Sequence, residues 1–178
     1  LSDIDKIIYG MVTDVVPNQK TLNKLLEDFE LLSNKSSYLS HKARERIQSE
    51  TEWNRRHLEE LHDWAKLQGV TDRLVFVDHH LSHASGAYFH SQYNDALIFT
   101  SDGKGNFKSS CVFEGCEQSI KELEFNTTFK SLGYFYGNIT KALGYKSERH
   151  EGKITGLAAY GNSKNFNHIT NKILSFKN

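Results

Sequence analysis

The chain has 178 residues, 22 Lys and Arg against 22 Asp and Glu, and 38% hydrophobic residues. That length supports one domain with a core rather than two. A formal net charge of zero argues against a dedicated nucleic-acid or membrane-surface binder, which carries a basic excess. No apolar run approaches the roughly 20 residues of a membrane helix.

The opening LSDIDKIIYG has neither the basic nor the apolar region of a secretory signal, and it lacks an initiator Met. We therefore expect a cytoplasmic protein, and a piece excised from a longer one. Two cysteines, Cys111 and Cys116, fit a reducing compartment. CVFEGC lacks the second pair of a structural zinc site, so both read as buried or half-buried thiols.

KIIYGMVT reads as a short strand, ended near Pro17 and Asn18. TLNKLLEDFELL follows, with Leu22, Leu25, Leu26, Phe29 and Leu32 at helical spacing. From about Ser40 to Leu67 a long charged helix is expected, polar on most faces and lying over something else. DRLVFVD is a short apolar strand of the kind covered on both faces. The helix after it runs to about Ser91, with Asp78 as N-cap and Leu81, Ala84 and Tyr88 as its apolar stripe.

DALIFTSDGKGN reads as a second buried strand ending in an Asp/Gly-rich turn. FKSSCVFEG and SIKELEFNTTF alternate as a hairpin turning at Gly115. SLGYFYGNITKALGY, KITGLAAYG and NFNHITNKILSF read as helices, the first carrying Gly133 and Gly137, which let another element approach closely. The whole is α/β with an internal antiparallel hairpin.

In DHHLSH, His79 and His83 stand at i and i+4, on one face of a helix and close enough to share a metal. His80 and His83, at i and i+3, form a less favoured pair. Asp102 in TSDGKG ends a strand, where α/β folds place ligand crevices. Gly103 and Gly105 beside it permit backbone approach to a phosphate. Two histidines and a carboxylate make a facial N,N,O set suited to a divalent first-row ion. Surface histidines and a DG turn former explain the same residues, and spacing alone leaves both readings open. No P-loop, GxSxG elbow or dinucleotide fingerprint is present. In SERHEGKITGLAAYG, Lys153 could meet a phosphate or carboxylate and His150 could act as an acid or base; a surface turn before a small-residue helix is the plainer account.

Taken in order, HHLSHASGAYF, ALIFTSDGKGN and SLGYFYGNITKALGYKSERHEGKITGLAAYG resemble the amino-terminal domain of NodU/CmcH-type O-carbamoyltransferases, most closely from Leu74 to Gly161. The resemblance implies an RNase H-like fold of the actin/hexokinase/Hsp70 type, a mixed sheet flanked by helices, incomplete in this chain. It implies a transfer domain that moves a carbamoyl group from carbamoyl adenylate to a hydroxyl of a sugar, antibiotic or other small acceptor. The donor would be made from carbamoyl phosphate and ATP in a YrdC-like domain of the same parent chain, expected beyond Asn178. It further implies a divalent metal, Fe(II) first with zinc or manganese as alternatives, held by His79, His83 and Asp102.

On the same resemblance Asp102, Gly103 and Gly105 lie on the nucleotide side, and Glu151 and Lys153 match the family's EGK segment. Lys153 and His150 are the candidates for catalysis. The family's G-x-S/N loop with its histidine and a completing aspartate past Asn178 are expected to lie outside these 178 residues, so the isolated chain is expected to be inactive. Neither nucleic acid nor membrane is an expected partner. The competing readings are a non-catalytic or regulatory module of the same fold, a sugar kinase-like ATP-binding protein, and a threonylcarbamoyl transferase. A kinase does not explain HxxxH, and a tRNA enzyme calls for a basic surface.

Overall fold

Asn18 and Ser36 are short side-chain acceptors placed just before two patterned runs, and each starts a helix. Asn18 accepts from the Thr21 N–H at 3.0 Å and Ser36 from that of Leu39 at 3.1 Å. The structure is a computed structural model describing residues 3–165 and 167–173, in two compact units, Leu1–Gly133 and Tyr134–Asn178.

The first unit runs β1 (Ile7–Tyr9), α1 (Gln19–Ser33), α2 (Ser37–Leu67), β2 (Leu74–Phe76), α3 (His79–Phe89), β3 (Asp95–Gly105), β4 (Lys108–Cys116) and β5 (Ser119–Thr127). α4 (Leu132–Ala142) starts at its end; α5 (Glu151–Ala158) and α6 (Asn167–Ile173) belong to the second unit. The mixed α/β content is as expected. Among the described residues the strands pair in two sheets: β1 pairs parallel with β2, and β3–β4–β5 is antiparallel. Of the last predicted helix, Phe166 and residues 174–176 lie outside the described residues. No helix among the described residues is long and apolar enough to cross a membrane.

α3 packs on one face of the antiparallel sheet, its Ala84 and Tyr88 joining Ile98, Cys111, Phe113 and Phe125 in the core, with Leu81 partly buried against them. The helix stripe is as predicted. β3, by contrast, is not buried on both faces: Ile98 and Thr100 point inward, while Leu97 and Phe99 are 75% and 65% exposed. Successive side chains of a strand face opposite ways, so the residues on either side of Ile98 point away from the α3 face. β2 likewise is half-buried throughout rather than covered on both sides.

α1 keeps Leu25, Phe29 and Leu32 of the predicted stripe buried or half-buried, but not Leu22 and Leu26. It buries Thr21, Leu25 and Asp28 and exposes Leu22 and Leu26, because Asp28 accepts from Thr127 Oγ1 at 2.6 Å and pairs with Lys130 at 2.6 Å. α2 buries a single narrow seam of Ala43, Glu50, Asn54, Leu58 and Ala65, as its polar composition required.

The β3–β4 turn lies at Asn106 and Phe107, φ 53° and 64°, while residues 102–105, the stretch expected to form the Asp/Gly-rich turn, are still part of β3. Phe107 is held in that unfavourable region by burial and by its N–H donating to Glu50 Oε1 at 2.9 Å. The β4–β5 turn lies at Glu117, φ 55°, not at Gly115, which sits within β4 opposite Ile120 and beneath the Tyr88 ring. Cys111 is buried, and burial pushes its thiol up to about 12. Cys116, five residues on and therefore on the other face, is exposed rather than half-buried.

Candidate functional site

The site begins with the cap of α3. Asp78 Oδ1 accepts from the N–H groups of His80 (2.9 Å) and Leu81 (3.1 Å), fixing where the helix starts and so which way each histidine points. Its other oxygen meets the buried Lys108 at 3.2 Å. Burial opposes the Lys108 charge, but Glu122 and Asp78 outweigh it and hold the ammonium above its ordinary value.

With that phase set, His79 and His83 project from one face, their Nε2 atoms 3.2 Å apart. Asp102 Oδ2 stands 2.8 Å from His79 Nε2 and 3.6 Å from His83 Nε2. Donors about 2.1 Å from a common ion lie roughly 3.0 Å apart at right angles and roughly 3.4 Å apart in a tetrahedron. The three observed separations span both values, so the residues present fit a divalent ion. This is the cluster of metal-capable side chains found among the described residues. His79 is buried, whereas the side chains of His83 and Asp102 are 57% and 44% exposed, so the cluster has one closed and one open side.

Asp102 reaches this position through an irregularity. Ser101 pairs with Ser110 and Gly105 with Lys108, so β3 takes four steps where β4 takes two and the surplus is expelled between them. Burial disfavours the Asp102 carboxylate, but hydrogen bonds from His79 and from the Gly103 N–H outweigh it and hold the group below the usual carboxylate range.

The seat of His79 is equally specific. Its Nδ1 is buried with no hydrogen-bond partner among the described residues, so no such bond orients the ring from behind. The side chain instead packs directly against Gly105: a Cβ there would stand 2.1 Å from His79 Cδ2, 2.3 Å from Cγ and 2.7 Å from Cβ. Sequence reading singled out Gly105 for phosphate approach; its nearest neighbour in the fold is the imidazole. Gly103 lies beside the cluster and gives its N–H to Asp102 Oδ1 at 2.6 Å.

His80 turns the other way. It is fully buried, its Nδ1 is 2.9 Å from Thr100 Oγ1, and burial pushes its pKa down, which keeps the ring neutral. The i, i+3 pair with His83 is therefore not formed. The Thr100 partner gave no local signal in the sequence.

His150, Glu151 and Lys153 belong to the second unit. Glu151 opens α5, its Oε1 accepting from the Glu148 N–H at 2.7 Å, and Lys153 is exposed. His150 stands at the cap position; its carbonyl accepts from the Lys153 N–H at 3.0 Å and its Nδ1 from that of Lys146 at 3.2 Å.

Comparison with known proteins bears on this geometry. A family model described as "Carbamoyltransferase N-terminus" matches residues 1–178. The nodulation protein NolNO of Sinorhizobium fredii is 42% identical over 89 residues, 50% of this chain and 13% of that protein. The nodulation protein NolO of Bradyrhizobium diazoefficiens is 32% identical over 93 residues, 52% of this chain and 17% of that protein. An uncharacterized Synechocystis protein, sll1178, is 33% identical over 107 residues, 58% of this chain and 17% of its own length. The chain thus spans less than a fifth of each of these relatives.

Proposed function

Because this chain belongs to the carbamoyltransferase N-terminal family, we propose that within the intact protein it supplies His79, His83 and Asp102 to a divalent metal site serving transfer of a carbamoyl group. The reaction proposed moves the carbamoyl group from carbamoyl adenylate to an acceptor hydroxyl. The O–C bond to the acceptor forms, the bond to the adenylate phosphate oxygen breaks, AMP leaves and the hydroxyl proton passes to a base. The carrying observation is the convergence of the three donor atoms within 4.8 Å, from a helix and a strand, in a chain matched by the family along its whole length.

The ion, iron(II) by preference, would supply a Lewis acid that polarises the carbamoyl carbonyl. Asp102 comes to the site as a carboxylate, and its charge offsets that of a cation. His79 and His83 direct their Nε2 atoms into the donor set, so neither is free to take the acceptor proton; that base is another group. The open side formed by His83 and Asp102 gives donor and acceptor their approach. Gly103, Gly105, Glu151 and Lys153 remain proposals for the nucleotide side, and His150 and Lys153 for proton or charge handling. An RNase H-like fold is part of the same reading, supported by the antiparallel β3–β5 meander followed by helices.

Metal analysis of the intact protein, purified anaerobically, tests the proposal. One equivalent of iron or another divalent metal is expected, lost in His79→Ala and Asp102→Ala together with carbamoyl transfer. Undiminished transfer by Asp102→Ala, or by protein stripped with a chelator, refutes it. Metal-free, folded and inactive wild-type protein would instead mark a non-catalytic module.

A further inference from the structure

The role proposed for His79, His83 and Asp102 as metal ligands leaves open what holds Asp102 in place, and the answer rests on that role. Asp102, Gly103 and Lys104 lie in the expelled stretch of β3 and have no register partners on β4. Their backbone groups must find partners elsewhere. The Ser131 hydroxyl donates to the Gly103 carbonyl at 2.7 Å and stands 3.4 Å from that of Asp102. Ser131 is 8% exposed, so this bond forms out of water.

Two residues further on, Gly133 makes the approach possible. A Cβ at that position would stand 2.8 Å from Gly103 Cα and 2.9 Å from its N, both closer than packing permits. The same Gly103 residue fixes the carboxylate. Its N–H donates to Asp102 Oδ1 at 2.6 Å, which leaves Oδ2 for His79 at 2.8 Å. Three hydrogen bonds therefore run in sequence: Ser131 hydroxyl to Gly103 carbonyl, Gly103 N–H to Asp102 Oδ1, and Asp102 Oδ2 to the imidazole of His79.

We propose that Ser131 is a positioning residue for the Asp102 ligand, admitted to the bulge by Gly133, and that this brace sets the metal affinity of the cluster. It touches neither metal nor substrate. It holds a stretch of β3 that has no register partner on β4, in the way partners of metal ligands orient them elsewhere.

The test uses Co(II) as probe in the intact protein, with affinity read by competition against a chelator and ligand geometry read from the cobalt d–d absorption. Ser131→Ala is expected to bind Co(II) about 10- to 100-fold more weakly than wild type and with an altered d–d band, while circular dichroism stays unchanged. Ser131→Thr, which keeps the hydroxyl, is expected to restore both. A Ser131→Ala protein with wild-type affinity and spectrum, alongside a His79→Ala protein that has lost Co(II), overturns the brace and leaves the ligand assignment standing. A Ser131→Thr protein as weak as the alanine variant also overturns it, since the hydroxyl would then not matter. Equal binding by wild type and His79→Ala overturns the ligand assignment and the brace together. If Ser131→Ala does not fold, Gly133→Ala decides the matter instead: weakened Co(II) binding supports the brace and unchanged binding overturns it.

Discussion

Gly105→Ala isolates the contact that orients His79. The backbone of Gly105 is outside the left-handed region, so alanine is permitted there and its effect is steric alone. The added Cβ would stand 2.1 Å from His79 Cδ2, where carbon atoms pack at about 3.5 Å; the two must separate by roughly 1.4 Å. The ring is buried and cannot swing into solvent cheaply, and α3 cannot retreat without straining the two cap bonds that Asp78 makes. Overpacking of this kind costs about 1–3 kcal/mol, which lowers Tm by roughly 2–12 °C in a domain of this size. A ligand moved by even half that distance leaves the productive geometry, so metal affinity is expected to fall at least about 10-fold. Thermal unfolding and chelator competition for Co(II) measure the two effects on the same sample. A Gly105→Ala protein with wild-type Tm and wild-type metal affinity refutes the seat.

Glu50 gives a pH signature away from the site. Burial pushes its carboxyl pKa up, against the pull of Lys104, Thr128, Arg46 and the Phe107 N–H. A raised carboxyl binds protons more tightly folded than unfolded, so its contribution to stability falls as pH rises from the ordinary glutamate range through the folded pKa. Urea melts between about pH 4.5 and pH 8 should therefore show wild type losing stability relative to Glu50→Gln as pH rises, and parallel curves would contradict the burial argument. The two thiols should differ sharply: mass-spectrometric mapping after brief iodoacetamide treatment of the native protein should find Cys116 labelled and Cys111 protected, since Cys111 is buried with its pKa pushed up to about 12. Equal labelling would mean that the α3 core opens readily.

What was legible in the sequence was local chemistry. Asp78 as a cap, the i, i+4 histidines and Asp102 in a strand next to glycines are short-range patterns, and the fold brings those three donors together. The family resemblance was legible for the same reason: it rests on contiguous runs, and the family model bears it out. What escaped depends on pairing between distant segments. The bulge is a mismatch between β3 and β4, so neither strand announces it alone. Gly115 had the look of a turn residue, yet its lack of a side chain serves the Tyr88 ring from a helix well upstream in the chain. Leu97 and Phe99 sit in an apolar run that reads as doubly buried, and composition cannot say which face receives a cover. Gly133 was the partial exception: its capacity for close approach was visible, its partner was not.

Two adjacent histidines on one helix and two nearby residues on one strand make two contacts across the same interface, and the contacts do opposite work. His80 against Thr100 is wholly buried, with a neutral ring, and it locks the first turn of α3 to β3. His79 against Asp102 lies one residue earlier on the helix and two residues later on the strand, at the edge of that lock, where the partner carboxylate is charged and half-exposed. A regular strand carries residues 100 and 102 on the same face, so the bulge is what lets the second contact differ in reach and exposure from the first. The ladder resumes at Gly105, which ties the far end of the bulge to β4 directly beneath the His79 ring. The geometry of the proposed ligand set therefore rests on the helix cap, the buried His80–Thr100 contact and the two anchored ends of the bulge, all on regular elements rather than loops. His83 is the most exposed member of the proposed set, held by its place on α3 and by its contacts with His79 Nε2 at 3.2 Å and Asp102 Oδ2 at 3.6 Å.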